Sequence, residues 1–182
     1  MARIYMIRHG KAAASFTDDL DPGLDEQGRQ QAVASCQQLE THLPLILKSS
    51  PLKRAQETAI PLAETTGQAV IIENRVAEVP SPGMSLEERG PWLREVMSGK
   101  WSEQSADLQQ WKADLVQCLL ETREDTAFFS HYVAINTAVS AATGDDQVLV
   151  CRPDNGSITV FETDGETLTL VSLGDEASTV VN

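Results

Sequence analysis

The sequence has few of the residues that would build a disulfide framework or a metal centre. Its three cysteines, Cys36, Cys118 and Cys151, lie far apart and form no C-x-x-C pair. Neither a disulfide scaffold nor a thiolate zinc site is therefore indicated. The three histidines are equally scattered, and no cluster of His, Asp and Glu has the spacing of metal ligands. We expect reduced cysteines, no metal ion and no cofactor.

Basic residues and long apolar runs are also scarce. The 182 residues include 14 Lys and Arg against 27 Asp and Glu, which gives a formal net charge of −13. Proteins that bind nucleic acids or anionic membranes need a basic face, so neither partner is expected. No apolar run approaches the length of a membrane span. No segment has the pattern of a signal peptide, which favours a cytoplasmic location.

The scarce basic residues are unevenly distributed. Up to Arg54 the sequence has seven basic and six acidic residues, a balance of +1. From Ala55 onward it has seven basic and 21 acidic residues, a balance of −14, and no Lys or Arg follows Pro153. A site for an anion is therefore expected in the first third of the chain.

Apolar runs of strand length alternate with longer helical segments. Strands are predicted at 2–7, 43–48, 69–73, 126–130 and 147–151, and helices at 25–40, 51–66, 86–98, 103–122 and 132–143. Ser50 is predicted to cap the second helix, because serine is a favoured N-cap and Pro51 suits the first helical position. This alternation is typical of an α/β fold with a parallel sheet.

The last part of the sequence has the two-residue periodicity of antiparallel strands. Segments 157–163 and 166–173 alternate apolar and polar residues, and Asp164-Gly165 between them predicts a hairpin with a two-residue turn. The whole pattern predicts a three-layer α/β/α domain with a mostly parallel sheet and a C-terminal hairpin. No repeat or linker interrupts it, so residues 1–182 are expected to form one domain.

Polar residues follow three of the predicted strands directly. They are Arg8-His9-Gly10, Ser49-Ser50 and Ser130-His131. Ligands of open α/β sheets bind outside the carboxyl ends of the strands, so these side chains should lie close together if the strands are neighbours. Arg54, in the first turn of the next helix, could reach the same place. Two arginines, two histidines and a helix N-terminus in an acidic chain indicate an anion site, most naturally one for phosphate.

At these positions the sequence resembles a known family. The segment MARIYMIRHGKA resembles the R-H-G opening of the histidine phosphatase superfamily, which has the phosphoglycerate mutase-like fold. LDEQGRQQA, SSPLKRAQETA and FFSHYVAIN resemble three further segments of that family, in the same order. The resemblance runs from Arg3 to about Phe161 and is to small members of the phosphatase type. Four segments in order are far more specific than one short motif.

The resemblance implies a role for each residue at the strand ends. His9 would be the catalytic nucleophile that forms a phosphohistidine. Arg8, Arg54 and His131 would bind the phosphoryl oxygens, and His131 counts among the catalytic residues as well. Glu78, in the loop after the third predicted strand, would protonate the leaving oxygen and then activate water. No metal is needed in such a site, because two guanidinium groups and an imidazolium can supply the positive charge.

Two segments depart from the family pattern. Tyr132 follows the second histidine at a position where the family usually has glycine. A bulky residue there should narrow the pocket or change how the helix begins. The segment around Glu78, NRVAEVPSPG, lacks the family's usual glycine- and tryptophan-rich sequence.

These observations predict a metal-independent phosphomonoesterase that acts on a small or medium organic phosphate. The chain has no evident insertion to hold a sugar-acid bisphosphate, so phosphatase activity is favoured over mutase activity. Two alternatives stay open: a phosphatase of phosphohistidine proteins, and a non-catalytic module that binds a phosphorylated partner. The intact nucleophile position, His9, argues against a purely binding role. The oligomeric state is not indicated by the sequence.

Overall fold

The centre of the domain is a six-stranded sheet. The computed structural model describes residues 1–15 and 17–178. Its strands are β1 (Ala2–Arg8), β2 (Ile46–Ser49), β3 (Ile71–Ile72), β4 (Thr126–Ser130), β5 (Ile158–Thr163) and β6 (Leu168–Ser172). The strand order is β3-β2-β4-β1-β5-β6. The first four strands pair in parallel, whereas β5 and β6 are antiparallel to their neighbours. The mostly parallel sheet with a C-terminal hairpin is confirmed.

The described residues also form five α-helices. They are α1 (Glu26–Leu39), α2 (Lys53–Thr66), α3 (Leu86–Ser98), α4 (Ala106–Leu120) and α5 (Tyr132–Thr143). Successive side chains of a strand point to opposite faces, and β1 uses both faces. Tyr5 and Ile7 pack in the cluster with α1 and α2, whereas Ile4 and Met6 pack in the cluster with α4 and α5. This arrangement confirms the three-layer α/β/α prediction.

The predicted strand at 147–151 is wrong. Gln147 makes only an isolated bridge outside the named strands. The backbone N–H groups of Val150 and Cys151 donate instead to the side-chain oxygen of Asn136 in α5, at 2.8 and 2.9 Å. A fully buried amide therefore accepts the bonds that a strand would have accepted. The segment is held against α5 and does not extend the sheet.

The predicted cap of the second helix is also wrong. The helix α2 begins at Lys53, its N-cap is Leu52, and no side chain caps it. The Oγ of Ser50 accepts the N–H of Leu52 at 3.1 Å and lies 2.8 Å from Nε2 of His131. Ser50 thus shapes the turn before the helix and contacts a histidine of the neighbouring strand end.

The C-terminal hairpin has a longer connection than predicted. Thr163 pairs with Leu168, so four residues join β5 to β6 instead of two. The side chain of Asp164 accepts the N–H groups of Glu166 and Thr167 at 2.9 and 2.8 Å. This aspartate-centred turn satisfies two backbone donors, which favours the wider loop.

Candidate active site

The carboxyl ends of the central parallel strands bring the predicted residues together. Arg8 at the end of β1 pairs with Ser130 at the end of β4. The N–H of His9 donates to the Ser130 carbonyl at 3.0 Å, and the N–H of Ser50 donates to the carbonyl of the residue before Ser130. The rings of His9 and His131 have centroids 5.2 Å apart. The three polar strand ends therefore form one site, as the sequence order predicted.

The hydrogen bonds of His9 define which ring nitrogen carries the proton. Its Nδ1 lies 2.7 Å from the carbonyl oxygen of Gly10. A carbonyl only accepts, so Nδ1 carries the hydrogen and Nε2 carries an unprotonated lone pair. That lone pair accepts Nε–H of Arg54 at 3.1 Å. Burial, helped by the charges of Arg54 and Arg8, holds the pKa of His9 well below its usual value. The ring is a neutral imidazole whose Nε2 can act as a nucleophile.

Two buried arginines lie beside this imidazole. Arg54 is the second residue of α2, and Arg8 donates from Nη1 to the carbonyl of Pro153 at 2.8 Å. Burial lowers the pKa of both guanidinium groups, and the charge of Glu78 counteracts this. In the described ranges no Asp or Glu forms a salt bridge with either arginine. Arginine keeps its charge even when buried, so the pair can receive a phosphate dianion.

Two further side chains hold the segment that carries His9 in place. The Oγ1 of Thr58 accepts the N–H of Gly10 at 3.0 Å and donates to the carbonyl of Arg54 at 2.7 Å. The side-chain amide of Asn155 donates to the carbonyl of His9 at 3.0 Å. Sequence reasoning missed Asn155. The turn-forming sequence around it, just before β5, was the available signal, because an antiparallel β5 begins where β1 ends.

Glycine at two motif positions permits the first helix to approach the segment that carries His9. A Cβ on Gly10 would collide with the backbone carbonyl of Gly28, and a Cβ on Gly28 would collide with the carbonyl of Lys11. The helix α1 therefore begins directly against the segment that carries His9. Only glycine fits at this close approach of two backbones.

Glu78 lies at the N-terminus of α5, in the same cleft as His9. Its Oε1 accepts the N–H groups of Val79 and Ala134 at 3.0 and 3.2 Å, and its Oε2 accepts that of Val133 at 3.2 Å. Burial raises the pKa of Glu78, although these hydrogen bonds and the charge of Arg54 oppose the rise. A carboxyl group that holds its proton more tightly than usual suits a general acid.

His131 takes a different position from the other candidates. Its side chain is fully buried and does not line the cleft. Because Ser50 Oγ already accepts the N–H of Leu52, its own hydrogen can go to Nε2 of His131 at 2.8 Å. Burial and the charge of Arg54 hold the pKa of His131 well below its usual value. This imidazole is therefore neutral, and it contacts His9 from the interior of the domain and not from the cleft.

The site opens into a cleft of about 710 Å³. Arg8, His9 and Arg54 line it together with Glu78. Tyr132 does not disturb the start of α5, and its ring packs 4.9 Å from the Arg8 guanidinium carbon. The bulky residue at this position thus places an aromatic ring at the edge of the cleft, beside Arg8.

The described part of the chain contains neither a cluster of metal ligands nor a membrane-spanning helix. No group of three or more His, Cys, Asp or Glu side chains in residues 1–15 and 17–178 could hold a metal ion. Over the same residues, no helix has both the length and the apolar character to cross a bilayer.

Comparison with known proteins decides the family. The family model of the histidine phosphatase superfamily (branch 1) matches residues 4–176. The chain belongs to this superfamily. The glucosyl-3-phosphoglycerate phosphatase of Mycobacterium tuberculosis is 34% identical over 133 residues, which is 71% of this chain and 51% of that protein. The chain spans about half or less of the length of the first curated relatives it matches.

Two other known proteins match along nearly their whole length. The 2,3-bisphosphoglycerate-dependent phosphoglycerate mutase of Thermoplasma acidophilum is 24% identical over 197 residues, covering 97% of this chain and 96% of that one. The solved structure of mycobacterial glucosyl-3-phosphoglycerate phosphatase with VO3 superposes with a TM-score of 0.75 at 24% identity, over 97% of this chain and 100% of that one. This likeness shows that the mycobacterial phosphatase has the fold described above.

Proposed function

We propose that this histidine phosphatase hydrolyses phosphate monoesters of small or medium organic alcohols, through a phosphohistidine on His9 and without a metal ion. The observation that carries the proposal is the neutral His9, whose Nε2 lone pair is directed at the buried Arg54. Glu78 lines the same cleft and supplies an acid. The cleft volume lies within the usual range for small-molecule sites.

In the first step the phosphate dianion of the substrate takes over the Nε–H of Arg54 from His9. The released Nε2 attacks phosphorus, and the bond from phosphorus to the alcohol oxygen breaks. Glu78 donates its proton to that oxygen, so the alcohol leaves neutral. Arg8 and Arg54 neutralise the phosphoryl oxygens throughout, and this electrostatic positioning is the main requirement of phosphoryl transfer.

In the second step water attacks the phosphohistidine. The Glu78 carboxylate takes the proton of that water, the bond from phosphorus to Nε2 breaks, and its electron pair returns to the imidazole. Inorganic phosphate leaves, while Glu78 is again protonated and His9 again neutral. His131 packs beside His9, with the two ring centroids 5.2 Å apart, and does not line the cleft.

The proposed function is tested by hydrolysis of p-nitrophenyl phosphate and a panel of alkyl phosphates in the presence of EDTA. We expect turnover to survive the chelator and orthovanadate to inhibit competitively. Activity that disappears with EDTA and returns with a divalent ion would contradict the metal-free mechanism. Binding of inorganic phosphate without any turnover would make the chain a binding module. A strong preference for a phosphohistidine-carrying protein over all of the esters would contradict the proposed substrate class and identify such proteins as the substrates.

Replacing Glu78 by glutamine should separate alkyl from aryl substrates. An alkoxide leaves only when it is protonated, so kcat/KM for an alkyl phosphate should fall by about 10²- to 10⁴-fold. A nitrophenolate leaves without help, so the same variant should show a burst of nitrophenol followed by a slow steady state. Asp19→Asn is the matched control, because Asp19 is an exposed carboxylate that lines the same cleft. Equal, small effects on both substrates would exclude Glu78 as the acid.

The same variant should change the pH profile. Step one needs the protonated carboxyl, whose pKa is raised by burial. As the pH rises through that pKa the acid form is lost, so wild-type kcat/KM for alkyl phosphates should decline on the alkaline side. Glu78→Gln should lack this decline. The acid side should reflect His9, which must be unprotonated to attack and whose pKa is lowered.

A further inference from the structure

One wall of the cleft is apolar. Leu93 and Met97 lie one turn apart on α3, and Tyr132 begins α5. All three line the cleft, and Leu93 and Met97 are only half-buried. We call these three residues the apolar wall. Leu20 lies in the loop between β1 and α1, also lines the cleft and is 65% exposed. Uncovered apolar side chains around a polar centre are typical of a ligand contact.

The apolar wall packs on the interior of the domain. Leu93 and Met97 pack on a buried cluster that includes Val79 and Val133, the neighbours of Glu78 and Tyr132 in the chain. On the other side, the loop before α1 touches α3, because Thr17 Cγ2 lies within 3.1 Å of the position of a Cβ at Gly90. The wall and the loop that carries Leu20 are thus held next to each other.

The position of Glu78 shows on which side the alcohol must lie. The carboxylate is bonded to the first turn of α5, directly after Tyr132 in the chain. A general acid has to reach the oxygen that it protonates, so the leaving alcohol extends from phosphorus on the side of Glu78. That side is the apolar wall. Three polar residues that also line the cleft, Lys11, Gln27 and Gln31, come from the β1–α1 loop and α1, and α1 packs on the opposite face of the sheet from α5.

We propose that the apolar wall binds the leaving alcohol, and that the preferred substrates are phosphate monoesters whose alcohol has an alkyl or aromatic group. This inference rests on the proposed phosphatase function, because it assigns a role to the side on which Glu78 acts. It sets the chain apart from relatives whose names refer to phosphoglycerate and its glucosyl derivative.

Three esters with the same three-carbon chain test the proposal. They are propyl phosphate, 3-phenylpropyl phosphate and glycerol 1-phosphate. The phenyl group is too far from the oxygen to change its basicity, so a difference in kcat/KM reports binding. We expect kcat/KM for 3-phenylpropyl phosphate to exceed that for propyl phosphate about tenfold or more. The reason is that the phenyl ring removes additional apolar surface from water when it packs on the wall. The kcat/KM for glycerol 1-phosphate should not exceed that for propyl phosphate.

Variants of the wall should remove this preference. Leu93→Asn and Met97→Gln keep the approximate size of each side chain and make it polar. Each should reduce severalfold the ratio of kcat/KM for 3-phenylpropyl phosphate to kcat/KM for propyl phosphate. The double variant should bring this ratio near one. Leu93→Ala and Met97→Ala provide a second route if the polar variants fold poorly. Glu95→Gln is the control, because Glu95 is exposed on the same helix and does not line the cleft. An unchanged ratio in the double variant would overturn the proposal, as would a wild-type preference for glycerol 1-phosphate.

Binding of phosphonates separates this proposal from the phosphatase function. Propylphosphonate and 3-phenylpropylphosphonate cannot be hydrolysed, and their dissociation constants are measured by calorimetry. About tenfold tighter binding of the phenyl compound, lost in the wall variants, would support the wall even if no ester were hydrolysed. Equal binding of the two compounds, or no binding of either, would contradict it. Absence of turnover with every ester would contradict only the proposed hydrolysis.

Discussion

His9→Ala should lower kcat/KM for p-nitrophenyl phosphate by about 10⁴-fold or more, because it removes the imidazole that we propose as the phosphoryl acceptor. The fold should survive, since the His9 side chain lies at the cleft and its backbone N–H still donates to Ser130. Calorimetry should still detect phosphate binding, because Arg8 and Arg54 are retained. His42→Ala is the control, since His42 is exposed and lies outside the cleft.

A phosphoenzyme trap identifies the nucleophile directly. Phosphohistidine is labile in acid, so the reaction should be quenched in alkali and the labelled peptide mapped. The wild-type protein should have the label on His9, and Glu78→Gln should accumulate more of it with an aryl ester. Label on His131, Ser50 or Ser130 would show that this residue, and not His9, is the nucleophile.

Arg54→Ala should cost about 10²- to 10³-fold in kcat/KM, equivalent to ~3–4 kcal/mol of transition-state stabilisation. The guanidinium is buried and unpaired by any salt bridge of the described residues, so its charge acts on the phosphoryl group with little screening. Arg54→Lys should recover little, because an ammonium cannot present two parallel donors. Lys53→Ala is the matched control, since Lys53 is the exposed preceding residue on the same helix.

The pH profile of Arg54→Ala gives a second, independent readout. The Arg54 charge helps to lower the pKa of His9, and its Nε–H occupies the His9 Nε2 lone pair. Removal of the charge should raise that pKa, so more His9 is protonated at a given acid pH. The acid limb of kcat/KM should therefore move to higher pH than in the wild-type protein. A wild-type rate with an unmoved acid limb would mean that the start of α2 is not part of the site.

Local sequence order was enough to predict most of the sheet and its carboxyl edge. The runs that became β1 and β4 are mostly apolar and β-favouring, and every residue in them except Arg3 is buried. Segment 147–151 has a similar composition, yet it is not a strand, because Asn136 accepts its N–H groups. A one-dimensional pattern reports which residues are apolar. It does not report whether the partner of a backbone group is a strand or a side chain.

The same limit applies to the candidate site. Arg8, His9 and Arg54 were predictable because each follows a strand or begins a helix at the edge where parallel strands end. Asn155 was not, because its contact with the His9 carbonyl joins residues 146 positions apart. The burial of His131 could not be predicted from the sequence either. It depends on how β4 lies between β1 and β2.

By itself, the sequence determined the fold class, the family resemblance and the set of side chains at the strand ends, because strand periodicity and motif order are local properties of the chain. Only the tertiary structure decided the His9 tautomer, the position of Glu78 on the first turn of α5 and the apolar wall beside it. The reason is physical: a hydrogen-bond partner, a pKa and the lining of a cleft depend on distances between segments. Those distances exist only after the helices have packed on the sheet.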